Sequence, residues 1–583
     1  MISLDKLGVN AGADQSSLKH NFLNTYEKII SNNYLPHCKI VIISNQNPYE
    51  LAHIFSERFP HALISVHTYK KNIDERETIQ LKQNVLFTHH LSLDNLLESF
   101  IHEMNIDFLI EDGSNLKSDK LSIFKNTFYN LNPNGIYFAE DLHASYIEKF
   151  IDNEGFDIID FLQLMVKIST MPSLEGQIFT KDDIEFSKII DSITFKGKLA
   201  IISKGVRTFK GLRDQEAVKL ILENKISGNV LLNDLPSKTF TAKNVSIGHP
   251  EKFTYRHPSE FKIFTPYINV YRNANCKPGQ VVWVDNYLIP DSFRMQHTKN
   301  LANRHITNYA NTFHRVDTQT PNYKLIGDYL YLDSEFPSHF GHFTSEVISR
   351  LWAWNILKEN HPELKVLLSV QPNKSLPSFV RKILNSFGIL DSEICTFEGQ
   401  VIVENLYTAC PQYVIGSHID PQINKTWDRI SKGFSGGEAK IKGKKLFIAR
   451  PTKGVRKCLN PEVLEDRFKE NGFEFFNPEN FSWEDQIRTF DQADTIAGYA
   501  GSGMFNAMFC SNIKNMIAIG ADSYNAYNEH FICAIKNVNL YYIWGDSSIK
   551  HGKFWDAKAF SSDFTFNYER DEGFLLDVLR NFS

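Results

Sequence analysis

No CxxC pair occurs among the seven cysteines, Cys38, Cys276, Cys395, Cys410, Cys458, Cys510 and Cys533, which are odd in number and widely scattered. That spacing excludes a zinc ribbon and a thioredoxin-like redox pair, and predicts free thiols in a reducing compartment. The first residues, MISLDKLGVNAGADQSS, lack the apolar core of a signal peptide. Long uncharged runs are scarce. Thr495 to Ile513 is one, but Gly498, Gly501, Ser502, Gly503, Asn506, Ser511 and Asn512 give it too much polar and turn chemistry for a lipid-facing helix. An excess of base is missing too: 63 Lys+Arg against 68 Asp+Glu leaves a net charge of −5. That excludes a surface that grips nucleic acid as a whole, though not a local basic groove. No Asp-x-Asp pair, internal repeat or low-complexity tract is found. These absences predict a cytoplasmic protein with no transmembrane segment and no nucleic-acid partner, placed at most peripherally on the inner face of the cell membrane.

Present instead is the composition of a folded protein: 583 residues, 42% apolar and 22% charged. At about 150 residues per domain, roughly four units are expected, or two or three larger ones. Two stretches read as linkers. Lys196 to Arg213 holds six basic residues and no acid, and Ser431 to Lys445 holds four glycines and few apolar anchors. In the first block the runs CKIVIIS, HALISVH, IDFLIED and GIYFAED read as buried strands, with helices over Asp94 to Met104 and from Ser118. Such alternation implies a parallel sheet covered on both faces. The last block repeats the pattern with KLFIAR, FEFF, DTIAG, NMIAIG and LYYIWG as strands. Asn460-Pro461 and Ser482 are expected to start two of its helices, and MFNAMFC a third. In the middle, VVWVDNYLI and KLIGDYLYLD read as strands and Thr344 to Lys358 as a helix.

Two constellations carry chemistry. Gly498-Tyr-Ala-Gly-Ser-Gly-Met-Phe-Asn506 joins a strand to a helix, where backbone N–H groups and a positive dipole end can receive a phosphate. A glycine turn alone equally serves only the turn. Arg450, at the end of the first strand of the same sheet, together with Lys453 and Arg456, would give that crevice cationic donors for a diphosphate. In the middle block His342, Glu346 and Arg350 recur at four-residue intervals after His339, on one helical face near its N-terminus. A carboxylate one turn from an imidazole can orient it as a base, although a surface ion pair has the same spacing.

The segment SHFGHFTSEVISRLWAW, then Arg450…Arg456…Asn460-Pro461-Glu462, Glu484-Asp485-Gln486 and the G-x-x-G-x-G-x-x-N run from Gly498 to Asn506 resembles glycosyltransferase family 61. The likeness thins upstream of about Asp328 and is taken to extend from Val245. It implies an inverting, nucleotide-sugar-dependent enzyme of two facing Rossmann-like halves (GT-B). It also implies His342 and Glu346 as catalytic residues, and His339 and Arg350 on the acceptor side. Arg450, Arg456, Gln486, Gly501, Ser502, Gly503 and Asn506 would bind the donor. Many members carry His in the glycine turn where this chain has Ala500, so the donor stays open.

Upstream, Gly12 to Glu27, Asp107 to Ser114 and Gly135 to Tyr146 look like the sugar O-methyltransferases of macrolide pathways. There, acids matching Asp112, Glu140 and Asp141 hold magnesium. The first turn, however, is Ser44-Asn-Gln-Asn-Pro48 with no glycine, His67-Thr68-Tyr69 replaces the ribose-binding acid, and Asn115 replaces a family His. S-adenosylmethionine is therefore not expected, and the three acids are at most a vestigial metal site.

The expected organisation is α/β throughout: a methyltransferase-like domain at 1–205, a linker at 206–244, an acceptor half at 245–435 and a donor half at 436–583. The expected function is an inverting glycosyltransferase for a bacterial surface polysaccharide. It needs no tightly bound cofactor, takes a nucleotide sugar and a glycan or lipid-linked acceptor, and works beside other synthesis proteins. The alternatives are a bifunctional glycosyltransferase/O-methyltransferase and a non-catalytic scaffold.

Overall fold

The computed structural model describes residues 2–33, 37–46, 48–69, 82–100, 103–173, 179–233, 238–242, 245–248, 258–308, 313–337, 339–434, 436–450, 454–553 and 555–582. They form two compact units. One is Met1–Leu212 with Asp285–Leu288 and Ile306–Asp317; the other is Arg213–Val284 with Ile289–His305 and Thr318–Ser583.

In the N-terminal unit the four apolar runs form parallel strands at Lys39–Ser44, Leu63–Thr68, Ile106–Asp112 and Leu131–Ala139. Val85–His89 adds an edge strand beside Leu63–Thr68, and Leu199–Lys204 with Ile190–Lys196 closes the other edge antiparallel. The runs are continuous because both sheet faces are covered: Ile40, Val41, Ile42 and Ile43 are all fully buried. Of the expected helix at Asp94 to Met104, Leu93–Ser99 is α-helical, and residues 101–102 lie outside the described residues.

The basic stretch from Lys196 to Arg213 is not a linker. It turns at Gly197 (φ 61) and supplies the strand Leu199–Lys204. Lys204 is fully buried, and its Nζ donates to Tyr129 O at 2.6 Å, Leu131 O at 2.5 Å and Thr208 Oγ1 at 2.6 Å. All three ammonium protons therefore have acceptors, which is what makes a buried lysine tolerable. The described residues of the expected linker at 206–244 are likewise built structure. They hold the strands Phe209–Gly211, Gly228–Leu232 and Lys238–Thr241 and the helix Asp214–Leu222.

The second unit contains two large sheets, besides the small antiparallel pairs of Lys238–Thr241 with Glu260–Ile263 and Tyr413–Val414 with His418–Ile419. The first is mixed, in the order Val281–Val284, Ile268–Lys277, Val401–Ala409, Tyr323–Tyr331, Lys365–Ser369, Ile394–Phe397, with Gly228–Leu232 also on Ile268–Lys277. The second is parallel: Val245–Ile247, Asn539–Ser547, Asn515–Ala521, Thr495–Tyr499, Lys445–Ile448, Glu474–Phe476. Val245–Ile247 thus joins the C-terminal sheet, not the half expected to begin there. VVWVDNYLI is two strands, because Asp285 turns left-handed (φ 51) after Val281–Val284. The uncharged stretch from Thr495 is a strand followed by a 3₁₀ helix at Ser502–Phe509. Among the described residues no helix is long and apolar enough to cross a membrane.

Replacing Lys204 by Met keeps the stem but removes the donor to the Leu131 carbonyl, at about 1–3 kcal/mol, while Tyr129 O keeps the Thr208 hydroxyl at 2.7 Å. Lys204→Met should therefore lower the unfolding free energy by about 1–3 kcal/mol in urea denaturation, with little effect from the exposed Lys198→Met.

Candidate active site

The expected helix from Thr344 to Lys358 begins earlier and changes pitch. Phe340–His342 is α-helical, Phe343–Val347 is a π turn, Ile348–Arg350 is 3₁₀, and Trp352–Asn360 is α-helical again. His342 Nδ1 lies 2.6 Å from Glu346 Oε2. Glu346 is 4% exposed, and its Oε1 accepts the Ile415 N–H at 2.9 Å, with Arg294 Nε 3.9 Å away. Burial would raise this carboxyl, but the His342 hydrogen bond and the Arg294 charge outweigh it and hold it below its ordinary value. With Nδ1 of His342 facing this carboxylate, Nε2 is the ring nitrogen left on the side away from it. The Phe336 ring stacks on the imidazole at 4.2 Å and 8°, and His339 packs edge-on at 4.8 Å.

Arg350 does not join this pair. The π and 3₁₀ turns break the four-residue repeat after Glu346. Arg350 is buried and acts on the buried Asp291, whose carboxyl burial lifts to about 6 against the opposing Arg350 charge.

Across from this helix, Gly501 (φ 143) leads into the 3₁₀ helix, not the α-helix expected there. Its N–H donates to Glu529 Oε1 at 2.7 Å and so is already satisfied. Arg450 is mostly buried, which with the nearby Arg456 charge lowers it to about 10. It donates to Ala500 O at 2.8 Å, Arg456 O at 2.9 Å and Val455 O at 3.1 Å. It shapes the turn from within. Arg456, itself left-handed (φ 59), lies over the Tyr524 and Phe560 rings at 4.7 and 5.4 Å, and its buried Nε has no hydrogen-bond partner among the described residues. A Cβ on Gly501 would stand 2.4 Å from Arg450 Nη2 and 3.2 Å from Arg456 Nη2, so glycine is required by space as well as by φ.

Gln486 donates to Pro478 O at 2.7 Å and Phe481 O at 3.1 Å, and accepts from Asn506 at 2.8 Å. Both amides brace the turn from behind. Ser502 and Gly503 are exposed at its mouth. Lys453 lies outside the described residues. The two sides meet where a Cβ on Gly341 would lie 3.0 Å from the Phe505 ring, and burial followed by the charges of His342 and Arg456 lowers His339. Sequence reasoning missed Arg294, Phe336, Glu529 and Tyr524. Of these only Glu529 left a trace, as a carboxylate in the apolar run NEHFICAI.

In the N-terminal unit Asp112, Glu140 and Asp141 are drawn together at strand ends, where protein donors meet two of them. Among the described residues no group of three or more His, Cys, Asp or Glu side chains is placed to hold an ion. Gln15 Nε2 donates to both Asp112 Oδ2 and Glu140 Oε2 at 3.2 Å, and Tyr26 OH donates to Glu140 Oε1 at 2.5 Å. Donors thus occupy oxygens that a cation would need. Asp141, left-handed (φ 52), pairs with His20 at 3.2 Å. At the first turn Asn45 Oδ1 accepts from Tyr69 N at 2.9 Å and Thr68 Oγ1 at 3.1 Å, bridging the two strand ends. His67 is buried and bonded to Ser65 at 2.9 Å and His90 at 3.0 Å.

Comparison with known proteins places two likenesses on this geometry. Residues 340–517 match the family model Glycosyltransferase 61. The chain is also similar to the 8-demethyl-8-alpha-L-rhamnosyl tetracenomycin-C 2'-O-methyltransferase of Streptomyces olivaceus, 30% identical over 112 residues, or 18% of this chain and 29% of that protein. Among solved structures, MycE methyltransferase from the mycinamycin biosynthetic pathway, in complex with Mg and SAH, is 15% identical with a TM-score of 0.30, covering 35% of this chain and 55% of that one. A putative O-methyltransferase from Klebsiella pneumoniae is 11% identical with a TM-score of 0.24, covering 35% of this chain and 88% of that one. The chain spans less than a third of the curated relative's length and about half of MycE's. The N-terminal region thus resembles O-methyltransferases.

Burial pushes the Asp112 carboxyl up to about 8 from 3.8, and raises the buried Glu140 well above its ordinary value. The native unit therefore holds protons that the unfolded chain releases. Its stabilisation is complete below about pH 4 and is lost as pH rises towards 8. The melting temperature of this unit should fall between pH 5 and pH 8.5 in calorimetry, and Asp112→Asn should flatten the slope. A slope unchanged by that substitution counts against the assignment.

Proposed function

We propose that the chain is an inverting glycosyltransferase that uses a nucleotide-diphosphate sugar to build a bacterial surface polysaccharide, a capsule or lipopolysaccharide glycan, from the cytoplasmic side. The observation that carries the reading is the 2.6 Å contact between His342 Nδ1 and Glu346 Oε2, opposite an arginine-lined glycine turn. The match of residues 340–517 to Glycosyltransferase 61 supports the reaction class. The two large sheets of the second unit serve as the acceptor and donor halves of a GT-B arrangement.

In this reaction the acceptor hydroxyl oxygen forms a bond to the anomeric carbon as the bond from that carbon to the diphosphate breaks. The electron pair leaves with the diphosphate, and the hydroxyl proton passes to His342 Nε2. Glu346 holds the ring by Nδ1 and stabilises the imidazolium that forms, as the acid of a triad does. Arg456, Ser502 and Gly503 receive the diphosphate. Arg450 contributes by fixing the Ala500 carbonyl and the 455–456 backbone. The N-terminal unit is read as a methyltransferase-type fold without methyl transfer; its first turn has no glycine, and Asn45 bridges the two strand ends there. Sugar transfer should accordingly run at the same rate with and without S-adenosylmethionine.

His342→Ala should lower the turnover number by about 10²–10⁴ at unchanged donor affinity, and Glu346→Gln should be milder. A dead Glu346→Gln beside an active His342→Ala would reverse the roles. Near-normal turnover in both would place the base elsewhere. Arg456→Ala removes a charge-assisted contact of about 1.5–3 kcal/mol. It should weaken binding in a calorimetric panel of nucleoside diphosphates at least roughly tenfold without moving the melting temperature. Arg450→Ala should move both.

A further inference from the structure

A cavity of about 590 Å³ opens in the second unit beside the helix that continues from Glu346. Leu351 and Ile356 of that helix, Ile263 and Phe387 give it apolar walls. The helix Ile423–Gly433 presents Lys425 and Arg429 to it, one turn apart on one face. With Lys238 they set three cations against one carboxylate, Asp420. Arg429 lies over the Phe387 ring at 4.2 Å, and among the described residues neither it nor the two lysines has an ion pair within 4 Å. Gln412 also lines the cavity; it is 6% exposed, and its Oε1 has no hydrogen-bond partner among the described residues. A buried acceptor left unpaired is destabilising, so this one is poised for a donor brought by a ligand.

Each simple ligand leaves part of this lining unanswered. A hydrocarbon ignores three cations and a buried amide, an inorganic anion leaves the apolar walls wet, and a neutral sugar makes no use of the positive rim. We infer that the cavity binds the apolar chain of a single-chain phosphate amphiphile, an alkyl or prenyl phosphate, with its head on Lys238, Lys425 and Arg429 and a hydroxyl of the head donating to Gln412. The inference does not rest on glycosyl transfer. The site does share elements with the His342–Glu346 pair: the Gln412 N–H donates to Ser349 O at 3.3 Å, three residues before Ile415 binds Glu346. An amphiphile there is therefore placed to be held beside the candidate active site.

The test is calorimetric titration of the full chain with decyl phosphate below its micellar concentration, beside inorganic phosphate and decyl maltoside. Saturable one-to-one binding of decyl phosphate is expected, with the two controls at least tenfold weaker. Ile356→Glu, at a position 48% exposed on the cavity wall, and Arg429→Ala should each weaken decyl phosphate at least tenfold. Neither should change the melting temperature or nucleoside-diphosphate affinity; should Arg429→Ala destabilise the fold, Lys425→Ala replaces it. Equal affinity for inorganic phosphate would make this a simple anion site, and equal affinity for decyl maltoside a non-specific apolar surface. Either result overturns the inference, as does binding that both variants leave intact. So does sedimentation with phosphatidylglycerol vesicles in the absence of decyl phosphate binding, which would point to a membrane surface contact. Failure of sugar transfer alone leaves this binding assay readable, so the two readings fail separately.

Discussion

A carboxylate almost wholly removed from water must either bind a proton or be met by donors in fixed positions. Glu346 takes the second course, and the candidate active site is organised around how it does so. One oxygen receives the His342 imidazole and the other the Ile415 N–H, so the carboxylate ties the start of the 340–360 helical run to the 412–419 segment. The π turn at Phe343–Val347 is the local consequence, widening the helix at the point where the buried side chain must reach both partners. Imidazole orientation, tautomer and the position of the stacked Phe336 ring then follow from one buried charge.

The glycine turn obeys a complementary constraint. Its peptide groups are held from two sides: Arg450 takes the Ala500 carbonyl and Glu529 takes the Gly501 N–H. Glu529 is itself fully buried and accepts from Tyr542 OH at 3.3 Å. The turn is thereby fixed before any ligand arrives, and catalytic electrostatics gains most from donors that need not reorganise. This reassigns the arginines. The one at the strand end is committed to backbone, and the one in a left-handed loop conformation, stacked on two rings, keeps an unpartnered nitrogen. Strain of that kind persists only where the surroundings impose it.

Long apolar runs and capping serines were legible in the sequence because their causes are local. Ser482 accepts from Asp485 N as its position before WEDQIRTFDQ requires, and IVII could only be an interior strand. What was not legible depended on partners distant in sequence. Asn460 stands where a cap belongs, yet its side chain clasps both backbone groups of Phe566. Lys204 looked like a solvated charge because nothing nearby announces the carbonyls of Tyr129 and Leu131. The strand Val85–His89 has no continuous apolar run because it is an edge, with Leu86 61% exposed. Arg350 was placed by a regular four-residue period that the π turn breaks. The pair His342 and Glu346 could be picked out because it lies within one turn, whereas Arg294 approaches from a loop about fifty residues upstream.

The two units contain the same side-chain chemistry set to opposite protonation states. Asp112 and Glu140 are as buried as Glu346, but Gln15 and Tyr26 offer them neutral donors, the nearest ammonium, Lys120, is bound to Glu111 at 3.0 Å, and each lies in the field of other carboxyls. Desolvation then prevails and the proton stays. Around Glu346 an imidazole and a guanidinium replace the neutral donors, and the balance reverses. Only the ionised member can stabilise a developing imidazolium. A carboxyl that burial biases towards its protonated form can brace strand ends, but it offers a neighbour less orienting charge. The neighbours, more than the acids themselves, therefore set the opposite directions in which these buried carboxyls are shifted in the two units.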